Sequence, residues 1–521
     1  MQRSFHNTPL VCALFVLVLF LWQVPFYTQD GPNHKKIAVI LSRLSRSPAE
    51  AAVYADNLGL WHTNSLFPLL YQPLAPYLSP DLYEKCFVGF FLVLLLCAFR
   101  CFLTAWAPDN RALWVLFLPF CFHPIFMRGM YNYLASIPLT LTAFSLLRLA
   151  WHTGRRSLWP LFALCCWVAW LAHPFPFFAL GLGFAVMVLV EGRQGVRTAL
   201  PYGAVICLFL VGGFLLPLWQ APHAMQAPYV FASLPVLFGG FFLLNFMDYS
   251  LVSLLVMLPF FGMLVWLLYQ SVKAGKWPEK AFWMAFLIGY LLFPSRGSVG
   301  AQLSDRFLPF IWLFLPLGLP PLEARAVRKI AVVSFLTFLL AASSVFWAMQ
   351  TIAAEVQDAQ HVLQALPAQA RLYPINFDLK GPGVIYRNLN HIWAVYDDDK
   401  VVFSPYLAAF PRLTPLIRKV PNSATYFPAT AEGLPEETLG NAFCRPDNLA
   451  ETPDCQAIRA EIWQKILQKS AYYDYWFVRN APPEFSALLA ALPGLQQMAA
   501  SGRCSLWHYA KAKRFDPVPA P

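Results

Sequence analysis

Along the chain, long apolar runs alternate with short polar breaks marked by charge, Pro or Gly. The pattern predicts about eleven membrane-spanning helices, at roughly 9–27, 85–105, 111–127, 131–150, 157–173, 175–191, 200–218, 250–270, 281–294, 306–322 and 329–349. About 20 apolar residues in a helix cross a bilayer's hydrocarbon, and the third, fifth and ninth runs are short against that standard. After about Gln350 the pattern changes and no further run reaches spanning length. Helical spacing covers Val356 to Leu366, ARLYPI and YYDYWFVRN read as strands, and PEFSALLAALPG reads as a helix with a Pro-Gly stop. The chain therefore divides into a helical module, 1–349, and an α/β segment, 350–521, with a long first outer loop, 28–84, that carries interfacial helices.

Composition identifies the solvent. Of 521 residues, 58% are hydrophobic, 16% aromatic and only 12% charged, whereas soluble domains carry about 25% charged residues. The fold class is a polytopic α-helical membrane protein with a C-terminal extracytoplasmic α/β domain. A net charge of +11 raises the question of nucleic acid, but Lys and Arg fall in the breaks between apolar runs and form no basic arm, so no nucleic-acid partner is expected. With the N-terminus cytoplasmic, the inner breaks are APDNRA, HTGRRS, EGRQGVR, QSVKAGKWPEK and EARAVRK, nearly all basic. The positive-inside rule then puts the first loop and the C-terminal segment outside. Leu10 to Phe26 approaches a full span and is followed by DGPNH without a small-x-small cleavage pattern, so it reads as a retained helix. The architecture, without organelle or retention signals, places the chain in a bacterial inner membrane with 350–521 in the periplasm.

Sorted by this topology, Asp30, His34, His123, Arg128, Asn132, His173, His223, Asp248, Arg296, Asp305 and Arg306 all fall at outer helix ends or in outer loops. Ionisable groups near hydrocarbon are costly and are usually paired or line a polar site, so one outward-facing cavity is the expectation. Outer loops must also be polar, which accounts for any one of these residues alone. In QDGPNH, the Gly31-Pro32 turn fixes the direction of Asp30, which equally suits the N-cap of a helix starting near Pro32. Lys35, Lys36, Arg43 and Arg46 suit an interfacial helix, with Ile37, Ile40, Leu41 and Leu44 facing lipid or protein. Whether they meet headgroups or substrate, the implied chemistry is phosphate.

SRGSVGAQLSDRFLPF brings Arg296 and Arg306 to the outer face, and the Arg fork suits phosphate oxygens. Asp305 either orients Arg306 or forms a simple salt bridge with it. His123 and His173 each precede Pro and lack HxxxH or HExxH spacing, so a divalent metal is possible but unsupported. Tyr131, Tyr133, Phe175 and Phe178 suit interfacial anchors. Cys444 and Cys455 are close enough in sequence to bridge in an oxidising compartment, which leaves Cys504 over. The sequence has no P-loop, dinucleotide GxGxxG, GxSxG elbow or paired CxxC, so neither ATP-driven transport nor nucleotide-sugar chemistry in a Rossmann domain is indicated.

An acid directly outside the first span, a helical first loop, many spans and a C-terminal α/β segment together resemble the GT-C membrane glycosyltransferases. That superfamily includes protein O-mannosyltransferases, lipid A aminoarabinose transferases and oligosaccharyltransferase catalytic subunits. Asp30 in QDGPNH is the motif that anchors the resemblance, and YDYWFVRN and SLWHYAK are similar to the outer-domain ends of bacterial relatives. The sequence departs from many members in placing Gly31 after Asp30, with Glu50 and Asp56 as the next acids of the loop, which counts against metal coordination of the oligosaccharyltransferase type.

The resemblance implies a sugar donor on polyprenyl phosphate, presented from the bilayer, and an acceptor that is a glycan, lipid or protein. Asp30 would be the general base of an inverting transfer. Arg306 and Arg296, with Lys35 and Lys36 behind them, would bind the donor phosphate. His34, His123, Asn132, His173, Asp248 and Asp305 would line the substrate cavity, and no cofactor is required. The rival functions are a transporter or flippase, or a polymerase, of lipid-linked glycans, or a noncatalytic scaffold. A transporter predicts midplane polar residues and paired halves, and the sequence has few midplane charges and no evident two-half symmetry.

Overall fold

The structure is a computed structural model, and it describes residues 8–23, 26–58, 62–123, 128–191, 193–211, 231–235, 237, 251–274, 277–294, 296–297, 300–301, 304–378, 389, 391–404, 406–407, 416–418, 463–468 and 470–510. In chain order, α1 (Thr8–Gln23) is followed by α2 (Gly31–Arg43), α3 (Pro48–Val53), β1 (Tyr54–Asp56), α4 (Leu66–Leu74) and α5 (Pro80–Trp106). Proline's fixed φ suits the first turn of α2 and α3, where its missing N–H has no helical partner to lose. The Ser47 side chain caps α3 by accepting from the Glu50 N–H.

Next come α6 (Tyr131–Thr153), α7 (Trp159–Ala172), α8 (Pro174–Glu191), α9 (Arg193–Leu210), α10 (Leu251–Ala274) and α11 (Trp277–Leu292). α6 closes at Gly154, whose φ of 65° is the left-handed cap conformation that glycine adopts freely. Between α7 and α8, His173 is extended (φ −163°, ψ 135°), as expected of a residue that precedes proline. A small hairpin, β2 (Arg296–Gly297) with β3 (Gly300–Ala301), leads to α12 (Leu308–Phe314) and the 40-residue α13 (Ala324–Leu363).

Two predicted spans take another form. The run expected at 111–127 is a pair of 3₁₀ segments, Pro108–Phe117 and Pro119–Phe122, and residues 124–127 lie outside the described set. The run expected at 306–322 is the short α12 between 3₁₀ turns at Ser304–Phe307 and Leu315–Gly318. Pro108, Pro119, Pro309 and Pro316 recur in these stretches, and each removes a donor that an α-helix interior would use. Among the described residues, α5, α6 and α13 are long and apolar enough to cross a membrane, and shorter apolar helices lie within α7, α8, α9, α10 and α11.

The chain forms two compact units: 1–24, 59–67 and 82–347 make the first, and 25–58, 68–81 and 348–521 the second. The first has an aromatic core in which Phe102, Phe144, Phe282, Phe286 and Phe310 gather around Phe314. Its helices approach closely at Gly183, where a Cβ would lie 2.5 Å from the Phe144 ring.

The second unit contains a five-stranded sheet built from β4 (Gln369–Asn376), β5 (Val401–Phe403), β7 (Tyr475–Arg479), β8 (Leu495–Ser501) and β9 (Cys504–Tyr509), in the order β5-β4-β7-β9-β8. β4 runs parallel to both β5 and β7, while β9 is antiparallel to β7 and β8. β6 (Leu416–Arg418) pairs instead with β1, Tyr54 opposite Arg418. α14 (Pro483–Ala491) connects β7 to β8. β4 and β7 are buried at successive positions, as strands covered on both faces are.

Under the sheet, fully buried Arg479 donates from Nε to Glu355 at 2.9 Å and from Nη1 to Asn376 Oδ1 at 3.1 Å. This tie joins the end of α13 to β4 and β7.

Candidate active site

Asp30 occupies the N-cap position of α2 (φ −99°, ψ −7°), yet its side chain makes no capping hydrogen bond. Thr28 Oγ1 accepts the Gly31 N–H at 3.1 Å, and the Asp30 main-chain carbonyl accepts from the His34 N–H at 3.0 Å. The helix start is thus served without the carboxylate, which faces His391 with Oδ1 3.5 Å from Nε2. The Asp30 side chain keeps 29% of its surface exposed, so a proton donor from solvent or substrate can reach it. His34, one turn further along α2, is pushed below the ordinary imidazole pKa by burial; Asp30 pulls it up and His391 pulls it down.

His391 has no sequence motif to announce it. It enters from the segment after β4, where Ile392–Ala394 form a buried 3₁₀ turn that packs on α2.

The cations of α2 separate into two kinds. Lys35 pairs with Asp81 at 2.6 Å, a carboxylate whose side chain is 74% exposed. Lys36 is buried: Nζ donates to the Tyr396 carbonyl and to Asp398 Oδ1, each at 2.5 Å, and lies 4.1 Å from the centre of the Tyr396 ring. Arg43 forks onto Glu50 at 2.6 and 2.7 Å and donates to the carbonyls of Asp398 and Lys400. Lys36 and Arg43, one face of α2 seven residues apart, clamp the 396–400 turn. The apolar positions Ile37, Ile40 and Leu41 are buried within the protein, Leu44 is half-buried and Arg46 is exposed.

A second polar cluster belongs to the first unit. The His173-Pro174 break, the start of α6 and the Ser304–Phe307 turn bring His173, Tyr133 and Arg306 together. Arg306 Nη1 lies 3.0 Å from His173 Nε2, and the Tyr133 hydroxyl donates to the Arg306 carbonyl at 2.6 Å. Guanidinium only donates, so His173 accepts at Nε2 and is neutral. The Phe175 N–H lies 3.1 Å from the same ring's Nδ1. A neutral imidazole accepts at one nitrogen, so these two donors compete for a single lone pair.

Asp305 faces Arg128 rather than Arg306 alone, with Arg128 Nη1 3.6 Å from Oδ2.

The other expected site residues are placed differently. Asn132 is a bracket: Oδ1 accepts the Phe67 N–H at 2.8 Å and Nδ2 donates to the Asn64 carbonyl at 2.9 Å. His123 lies in an apolar recess with Leu95, Phe117, Phe120, Leu134, Ile137 and Pro309. Arg296 is in register with Ala301 in the β2–β3 hairpin, and its side chain lies outside the described residues, as do Asp248 and His223. Buried Glu84, which accepts from the Tyr131 hydroxyl, was not foreseen as a polar group of the first unit. Among the described residues, no group of three or more His, Cys, Asp or Glu is arranged to hold a metal ion.

No protein-family model matches the sequence, and no curated protein matches it significantly. The fold is similar to those of solved ArnT and AftD structures. In particular, the chain is similar to ArnT from Cupriavidus metallidurans in its apo state, with a TM-score of 0.59 and 11% identity over 98% of both chains. Against the same protein bound to undecaprenyl phosphate, the TM-score is 0.57 at 11% identity, over 98% of this chain and 99% of that one. A mutant of the arabinofuranosyltransferase AftD from Mycobacteria gives a TM-score of 0.52 and 15% identity, over 98% of this chain and 42% of that one. At such identities the likeness is one of fold.

Proposed function

We propose that the chain is an integral-membrane glycosyltransferase that moves a sugar from a polyprenyl-phosphate donor to an extracytoplasmic acceptor with inversion. The observation that carries this reading is Asp30, a half-exposed carboxylate just after the first apolar helix that is not used as a helix cap. The ArnT-like fold supports it, since one matching ArnT structure holds undecaprenyl phosphate. The module 1–349 would lie in a bacterial inner membrane with the N-terminus in the cytoplasm, and 28–84 and 350–521 would face the periplasm.

In this reading Asp30 takes the proton of an acceptor hydroxyl as its oxygen attacks the anomeric carbon, and the lipid phosphate leaves from the opposite face. Negative charge grows on the departing phosphate. The sequence's candidates to stabilise it through charge-assisted hydrogen bonds are Arg306 and Arg296, with Lys35 behind them. Lys36 instead holds the 396–400 turn. The phosphate-linked donor already carries the free energy of transfer, so no organic cofactor is needed.

Sugar transfer by the purified protein in lipid, with a panel of polyprenyl-phosphate sugars and membrane-extract acceptors, tests the reading. Asp30→Asn keeps the size of the side chain and removes the base; a loss of about a hundredfold or more is expected. Equal transfer by both proteins would move the base elsewhere. Donor binding by both proteins without transfer by either would favour a flippase of lipid-linked glycans.

A further inference from the structure

We infer that His391 is the positioning partner of Asp30, orienting the carboxylate and carrying its proton away after transfer. The inference rests on the general-base reading of Asp30 and adds a residue supplied by the C-terminal segment of the same unit.

Three observations support it. The carboxylate is released from capping because Thr28 takes the Gly31 N–H, and it meets the imidazole with Nε2 3.5 Å from Oδ1. That spacing is just beyond a direct hydrogen bond and closes with a small side-chain rotation or one water. The imidazole is also held firmly: its side chain is 12% exposed, its ring meets Trp393 edge-on at 6.3 Å, and Ile392, Trp393 and Ala394 are buried behind it. Lastly, the titratable groups facing His391 from α2 include Asp30 and His34, and burial keeps His34 neutral near pH 7, so it does not compete for the proton.

The step balances. The acceptor oxygen bonds to the anomeric carbon, and the bond from that carbon to the phosphate oxygen breaks with its electron pair leaving on the phosphate. The acceptor proton passes to Asp30, then to neutral His391 Nε2, and from the imidazolium to water. Imidazole titrates near neutrality and suits this second transfer. When His391 is already protonated, it stabilises the Asp30 carboxylate as an ion pair and weakens it as a base. Transfer therefore slows as pH falls through the imidazole range.

The test uses the full chain in lipid nanodiscs. In the first arm, kcat for transfer is followed against pH for wild type and His391→Gln. The expected result is a fall in kcat of about tenfold with little change in donor KM, and an acid limb that moves to lower pH. An unchanged kcat and acid limb in His391→Gln would overturn the inference while leaving the base assignment of Asp30 intact.

The second arm needs no turnover. The histidine signal lost in His391→Gln identifies His391 in ¹⁵N-labelled protein, and its midpoint is compared between wild type and Asp30→Asn. Removing the carboxylate is expected to lower that midpoint by about 0.5–1 pH unit, and an unmoved midpoint overturns the pairing. A protein that transfers no sugar thus defeats the proposed function, and this arm still decides the pairing.

Discussion

Lys36, buried, and Arg306, half-buried, are both cations that the sequence offers for phosphate, and the structure surrounds them differently. In the second unit, Lys36 meets a carboxylate, a carbonyl and an aromatic face. In the first unit, Arg306 meets a neutral imidazole that also faces the Phe175 N–H, and the nearby carboxylate of Asp305 is shared with Arg128. A buried charge answered by an opposite charge stabilises the fold, because removing either member leaves the other unpaired in low dielectric. In the reading proposed above, Lys36 builds the protein and Arg306 would act on the donor phosphate, and sequence alone shows both simply as cations in outer segments.

The largest effect that sharpens this contrast belongs to Arg479, a buried cation of the second unit that meets Glu355 and Asn376. Arg479→Met leaves buried Glu355 with the largely exposed Arg503 3.6 Å away and is expected to cost about 3 kcal/mol of stability, read as a lowered midpoint in thermal unfolding. Lys36→Met should cost less, about 1 kcal/mol, because the Asp398 side chain is 44% exposed and solvent screens the loss. A Lys36→Met protein as stable as wild type would mean that the clamp on 396–400 is not structural.

The smallest effect is set by His34. Its pKa is lowered in the fold, chiefly by burial, so the unfolded chain binds the proton more readily. The contribution is complete above the unfolded value near 6.5 and is lost as pH falls through that value toward the lower folded one. Acidification from pH 7 to pH 5 should destabilise the wild type more than His34→Gln, and equal slopes would show that His34 makes no such contribution.

Much of the architecture could be read from residue patterns. ARLYPI and YDYWFVRN coincide with β4 and β7 because a strand covered on both faces is written as a short, nearly continuous apolar run. The break at His173-Pro174 was legible because proline constrains the residue before it. The 3₁₀ segments at 108–122 and those flanking α12 at 304–307 and 315–318 were not, since hydropathy is the same for an apolar run whatever its backbone; the recurrent prolines were the overlooked signal. The position of Asp30 after the first span marked it as a candidate, but its partner His391 lies far along the chain and no local spacing connects them. Lys36 was misleading for the same reason: its charge is answered at Asp398, and only the tertiary fold brings the two together.

The contrast between the two cations is tested most directly by equilibrium binding of undecaprenyl phosphate to Arg306→Ala and Lys36→Met proteins in nanodiscs. Arg306→Ala should weaken binding by about tenfold to a hundredfold, the range of a lost charge-assisted hydrogen bond, while Lys36→Met should leave it within about twofold of wild type. Full affinity in Arg306→Ala, with the loss appearing in Lys36→Met instead, would contradict the assignment of the first-unit cluster to the donor phosphate.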